Sequence, residues 1–123
     1  MTTRERWTNQ ALYDLDTARA MLSTGRRLYV LFCCQQAVEK SLKGIISERT
    51  QEHPPRLHNL VRLAERASLS LQSEVEDRMR MLSNYYIESR YPEELASLGE
   101  IDQGLAAEVL THTEEILEWL ASR

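Results

Sequence analysis

The sequence predicts an all-α protein, an up-and-down bundle of four to five helices. Three observations carry that expectation. Apolar residues recur at spacings of three and four along most of the chain, the period of a helix with one buried face. Four Gly and three Pro in 123 residues leave little punctuation for many short strands. No stretch alternates apolar and polar residues as a half-buried strand does. A chain of this length is expected to form one domain, residues 1–123, around a single hydrophobic core.

The first helix is expected from about Thr3 to Ser23, where Trp7, Ala11, Leu15, Ala18 and Leu22 form one stripe. Arg4, Asp14 and Arg19 point away from that stripe, and Gly25 is placed to end the helix. The second spans roughly Leu28 to Glu48. Leu31, Cys34, Val38, Leu42 and Ile45 make an apolar line, and Val30, Ala37, Ser41 and Gly44 make a line of small residues beside it. Tyr29, Phe32 and Cys33 widen the apolar surface. A helix so apolar on several sides is either central or shared with a second copy of the chain. If it is shared, two-fold pairing is the commonest symmetric arrangement.

Residues 49–56 read as a connection. A short third helix follows, with Leu57, Leu60, Val61, Ala64 and Ala67 facing inward. A fourth begins near Ser70 or Ser73, with Ser73 and Glu76 spaced for a capping box, and carries Leu71, Val75, Met79, Leu82 and Tyr86. Pro92 disfavours helical geometry at Tyr91, so this helix should stop near Arg90. The loop from Ser89 to Glu100 is long for a small bundle and marks a functional edge. The last helix, about Ile101 to Ala121, buries Leu105, Val109, Thr113, Ile116 and Leu120.

Composition excludes several classes. The net charge is −4, which gives no bulk attraction to nucleic acid. It is unevenly spread: residues 93–123 hold eight acids and one base, while residues 1–92 hold eleven acids and fourteen bases. No apolar run approaches membrane-spanning length, so a cytoplasmic protein without membrane contact is expected. The adjacent Cys33 and Cys34 are poorly placed for an ordinary disulfide and read as small apolar residues in a reducing compartment. His53, His58 and His112 show no zinc-binding spacing, so no metal site is expected.

Three groups of residues are candidates for chemistry. Arg90, projecting from a helix end, can bind the last carbonyls of its own helix or offer its fork to a phosphate. Lys40 and Lys43, stacked with Gln36 on the second helix, can meet phosphates, with the Gln36 amide left for a base or ribose; alternatively Glu39 pairs with Lys43 at the i,i+4 spacing. His58, just after Pro54-Pro55, can bind backbone or a carboxylate at the start of the third helix, or carry a proton. Tyr85, Tyr86 and Tyr91 can stack on a base or serve as core residues with a satisfied hydroxyl.

Four features arrive in an order that resembles the HEPN domain family. They are the Trp7-through-Leu15 helix; Gln35-Gln36-Ala37-Val38-Glu39-Lys40 with Leu42-Lys43; Pro55-Arg56-Leu57-His58-Asn59-Leu60; and Tyr85-Tyr86-Ile87 with Arg90-Tyr91-Pro92. This helical module also occurs at the C-terminus of the chaperone sacsin. The resemblance implies a bundle of four to five helices, commonly paired as a homodimer, and in prokaryotes often encoded beside a minimal nucleotidyltransferase. The two then act as toxin and antitoxin or as parts of a split enzyme. The resemblance also implies that many members are metal-independent ribonucleases, in which an arginine and a following histidine form the active centre; others are nucleotide-binding modules.

Arg90 matches that arginine, but Leu95, Ala96 and Ser97 occupy the positions where the histidine should fall. Metal-free cleavage through the 2′-hydroxyl needs a group to take and return a proton, and arginine is too basic to do so. The resemblance therefore implies a non-catalytic nucleotide- or phosphate-binding module that uses Arg90, Lys40, Lys43, His58, Tyr86, Tyr91 and Gln36. It would form a homodimer, work with a minimal nucleotidyltransferase partner, and require no cofactor beyond a bound nucleotide. The alternative is a metal-independent ribonuclease toxin acting on RNA with an altered active centre, in which Arg90 is catalytic. A scaffold without ligand is the third reading.

Overall fold

The computed structural model describes residues 1–88 and 101–123, and within them five helices and no strand. Helix α1, Thr3–Ser23, starts at a capping box. The Thr2 hydroxyl accepts from Glu5 N at 3.1 Å, and the Glu5 carboxylate accepts from Thr2 N at 2.8 Å, satisfying two donors that a helix start leaves orphaned. Gly25 follows with a φ of +75°, left-handed backbone that glycine adopts without strain. This turns the chain into α2, Arg27–Thr50.

Among the described residues, helix α2 packs against each of the other four helices. Leu31, Cys34, Val38, Leu42 and Ile45 are completely buried, as are Val30 and Ala37 beside them. Its apolar surface is thus spent largely on the chain's own neighbours. The short α3, Leu60–Arg66, is opened by Asn59, whose side chain accepts from Arg62 N at 3.1 Å. Helices α4, Ser73–Glu88, and α5, Gln103–Ala121, complete the bundle. The Asp102 carboxylate caps α5 through Leu105 N at 2.7 Å.

Side-chain links give the directions. Arg4 reaches Glu48 and Asp14 reaches Lys40, so α1 and α2 run antiparallel. Arg27 donates to the Ile101 carbonyl and Arg49 to that of Arg123, so α2 and α5 run the same way. The Phe32–Tyr86 and Arg78–Glu115 contacts set α4 against both. The long helices therefore alternate up, down, up and down.

Several sequence expectations change. Arg4, Asp14 and Arg19, off the α1 stripe, gain partners that the stripe did not reveal: Glu48, Lys40 and Glu114 on neighbouring helices. Leu57 precedes α3, and Leu63, absent from the expected stripe, is fully buried instead. Ser73 is the first residue of α4 and not its cap. The first i→i−4 bond joins Glu76 N to Gln72 O, and the Glu76 carboxylate is held by Arg80 at 3.0 Å. The expected stop near Arg90 and the loop Ser89–Glu100 lie outside the described residues. Among the described residues, no helix is long and apolar enough to cross a membrane.

Candidate functional site

A line of polar side chains runs through the apolar body of α2: Gln35, Glu39 and Lys43, spaced by four and all buried. Buried polar groups persist only when hydrogen-bonded and buried charges only when paired, and here each is. Lys43 Nζ lies 3.0 Å from Glu39 Oε2. Gln35 Nε2 donates both to Glu39 Oε1 at 3.1 Å and to the His58 carbonyl at 3.0 Å. Its Oε1 accepts from Gln36 Nε2 at 3.0 Å. One amide thus aligns two α2 side chains and fixes the backbone just before α3.

His58 completes the cluster. Its Nδ1 sits 3.0 Å from Glu39 Oε1. An ionised carboxylate only accepts, so the imidazole carries its proton on Nδ1 and leaves Nε2 for other work. The Asn59 cap starts α3 immediately after His58. Burial pushes the Glu39 carboxyl up, but hydrogen bonds from His58, Lys43 and Gln35, with the Lys43 charge, outweigh it. The carboxyl is held below its usual range and stays ionised at neutral pH.

Aromatic rings back the imidazole. The Tyr86 ring lies 5.2 Å from that of His58, tilted by 41°, and Phe32 stacks on Tyr86 at 5.2 Å. Tyr86 is only 6% exposed, whereas the His58 side chain is 48% exposed. Nearby, the buried Leu60 N donates to Ser83 Oγ at 3.1 Å, joining the start of α3 to α4. The assembly therefore presents a carboxylate-held imidazole to solvent.

A family model described as "HEPN domain" matches residues 4–123. The chain belongs to the HEPN domain family. Two solved structures are similar over nearly the whole length. TT1696 from Thermus thermophilus shares 26% identity with a TM-score of 0.83, over 99% of this chain and 98% of the other. ST0689, described as an archaeal HEPN homologue, shares 28% identity with a TM-score of 0.78, again over 99% and 98%. No curated protein matches the chain.

In this HEPN domain the residues singled out from sequence are sorted into two groups. His58, Gln36, Lys43 and Tyr86 come together around Glu39 and Gln35. Lys40 goes elsewhere: its ammonium lies 2.7 Å from Asp14 Oδ2 on α1. That oxygen is buried and has no hydrogen-bond donor, so Lys40 neutralises it through space, off the line of a bond. The two lysines expected to act together thus serve two different carboxylates. Arg90 and Tyr91, with Leu95, Ala96 and Ser97, lie outside the described residues.

Gln35, Glu39 as the partner of His58, Phe32 and Ser83 were missed by sequence reasoning. The usable signal was the polar line at four-residue spacing inside an apolar helix, which has to be paired. The cysteines are free: burial pushes the Cys34 thiol up to about 12, against a lowering bond from Thr113. Cys33 is raised by burial and by Asp14, with Lys40 pulling the other way.

Two further features do not add to the site. An open cleft of about 640 Å³, lined by Thr2, Arg4, Trp7, Ser47, Glu48 and His53 among others, lies where α1 begins and α2 ends. Its arginine, Arg4, is committed to Glu48 at 2.8 Å and to the Leu120 carbonyl at 3.2 Å. Among the described residues, no group of three or more His, Cys, Asp or Glu side chains is arranged to hold a metal ion.

Proposed function

We propose that this HEPN domain is a nucleotide- or phosphate-binding module of the cytoplasm, working as a homodimer with a minimal nucleotidyltransferase partner. The observation that carries the reading is His58: half exposed, fixed through Nδ1 to Glu39, and joined through its carbonyl to the Gln35 amide, which Gln36 also binds. An imidazole so held offers one nitrogen to a phosphate oxygen, and the Gln36 amide suits a ribose or base edge. Arg90 and Tyr91, which follow Tyr86 closely in the chain, are assigned as further contacts, the guanidinium to phosphate. Lys43 supports the site through Glu39.

Calorimetry with ATP, GTP and their monophosphates tests this. Binding is expected in the intact protein and at least tenfold weaker in His58→Ala and Arg90→Ala; no binding by any of the four nucleotides removes the reading. Co-purification with a nucleotidyltransferase encoded nearby tests the partner, and a monomeric mass at micromolar concentration contradicts the homodimer.

The Glu39–His58 pair also favours a second reading, a metal-independent ribonuclease. The sequence lacks a histidine at positions 95–97, and a carboxylate-bound imidazole is the side-chain arrangement that exchanges protons near neutral pH. RNA cleavage in excess chelator, lost in both His58→Ala and Arg90→Ala, is the expected result. Cleavage no faster than in an Arg90→Ala control eliminates it.

A further inference from the structure

The lysines near this site already have their counter-charges. Lys43 and Glu39 are 3.0 Å apart with side chains 11% and 6% exposed, and Lys40 is given to Asp14. When its imidazole is neutral, His58 therefore sits beside a pair with no net charge. Its Nε2 then carries a lone pair, which repels an anion instead of attracting one.

We infer that anion binding at this site is coupled to the uptake of one proton by His58, and that the imidazolium presents positive charge to the anion. The inference rests on the phosphate-binding reading above and specifies what controls that site. Protonation keeps the Nδ1–H on Glu39 and adds an N–H at Nε2, on the side of the ring away from the carboxylate. The same event turns a repelling acceptor into a charge-assisted donor.

The surroundings support assigning the proton to His58. From α2 the imidazole is faced by Glu39, with Lys43 behind it; from α4 it is faced by Tyr86. On its own segment and on α3 the nearest charges along the chain are Arg56 and Arg62, both exposed. Glu39 is held below the usual carboxylate range and does not change charge across the span where an imidazole titrates. The arginines keep their charge throughout. The group left to take the proton is the imidazole, whose Nε2 points away from Glu39.

Sulfate is the probe, because its double charge is constant from about pH 5.5 to about pH 8.5, the span that brackets imidazole titration. Calorimetry in two buffers of different ionisation heat should show one proton taken up per sulfate at the upper end. Toward the upper end of that span affinity should fall with rising pH, by about tenfold per unit at the limit for a one-proton linkage. His58→Lys should bind with the same affinity across the range, and His58→Gln should bind weakly at every pH.

Sulfate affinity that does not vary with pH, without proton uptake, overturns the coupling and leaves the binding module standing. Absence of both sulfate and nucleotide binding at every pH overturns the two together. Should His58→Gln fail to fold, the two-buffer measurement on the intact protein decides alone.

Discussion

His58 Nδ1 and Glu39 Oε1 lie 3.0 Å apart, though the residues are 19 positions apart in the chain and belong to different elements. The contact sets the tautomer of one residue and helps hold the other ionised. It joins the middle of α2 to the start of α3, so the site and the packing of the short helix depend on the same bond.

Removing Glu39 should be the most damaging single truncation in the cluster. Glu39→Ala leaves the Lys43 ammonium buried without a counter-charge, a change that typically costs about 3–5 kcal/mol. Urea unfolding should show that loss, with much of it restored in Glu39→Ala/Lys43→Met, where no orphaned charge remains. The carboxyl is lowered in the fold, so its contribution is complete above the unfolded carboxyl value and is lost as pH falls through the lowered one. Glu39→Gln should flatten that part of the acid limb; an unchanged limb refutes the assignment.

At alkaline pH the relevant group is Cys34. Its thiol rises from 9.0 to about 12 in the fold, so between these values the unfolded chain has lost a proton that the folded one keeps. Stability should therefore decline as pH climbs through that interval. Denaturant midpoints measured across it for the intact protein and Cys34→Ala should diverge in slope, and parallel curves count against it.

Ser83 offers a smaller test of how α3 is held. Its hydroxyl is the acceptor for the buried Leu60 N, and Ser83→Ala leaves that donor unsatisfied. A loss of about 1–3 kcal/mol is expected. Amide exchange at Leu60 should accelerate more than at the α2 core; uniform acceleration means that the bond is not local in its effect.

Lys40 should be a residue of stability and not of the site. Lys40→Met takes from the buried Asp14 oxygen the ammonium that neutralises it, with an expected loss of about 1–3 kcal/mol. Sulfate affinity should stay within about twofold, because the ammonium is committed to Asp14 and not to the Glu39–His58 pair. A tenfold loss of affinity would return Lys40 to the ligand.

What could be read in the sequence was local. The α1 limits, Thr3–Ser23, follow from a stripe and a glycine, and the α2 core from two adjacent apolar lines. The Glu39–Lys43 pair follows from i,i+4 spacing alone. The partners of His58 and Lys40 did not, because each bond spans a turn or loop whose path no periodicity encodes. Asp14 looked like a surface residue since it flanks the α1 stripe; only the antiparallel return of α2 brings Lys40 beside it. The Ser73 cap failed because the helix starts one residue earlier than the capping pattern implies, with Ser73 already helical and Gln72, which has no side-chain signature of a helix start, just before it.

Gly44 has a consequence beyond its own contact. A Cβ there would come within 2.9 Å of Trp7 Cβ, and one turn away on either side stand Lys40 and Glu48, which clasp Asp14 and Arg4. A single missing methyl acts as a spacer gauge for two electrostatic clasps. Gly44→Ala should lever both open, adding an ionic part to the steric penalty of about 1–3 kcal/mol. That part should shrink in concentrated salt, so the mutational loss should be greater at low ionic strength; equal losses would leave the clash as the whole explanation.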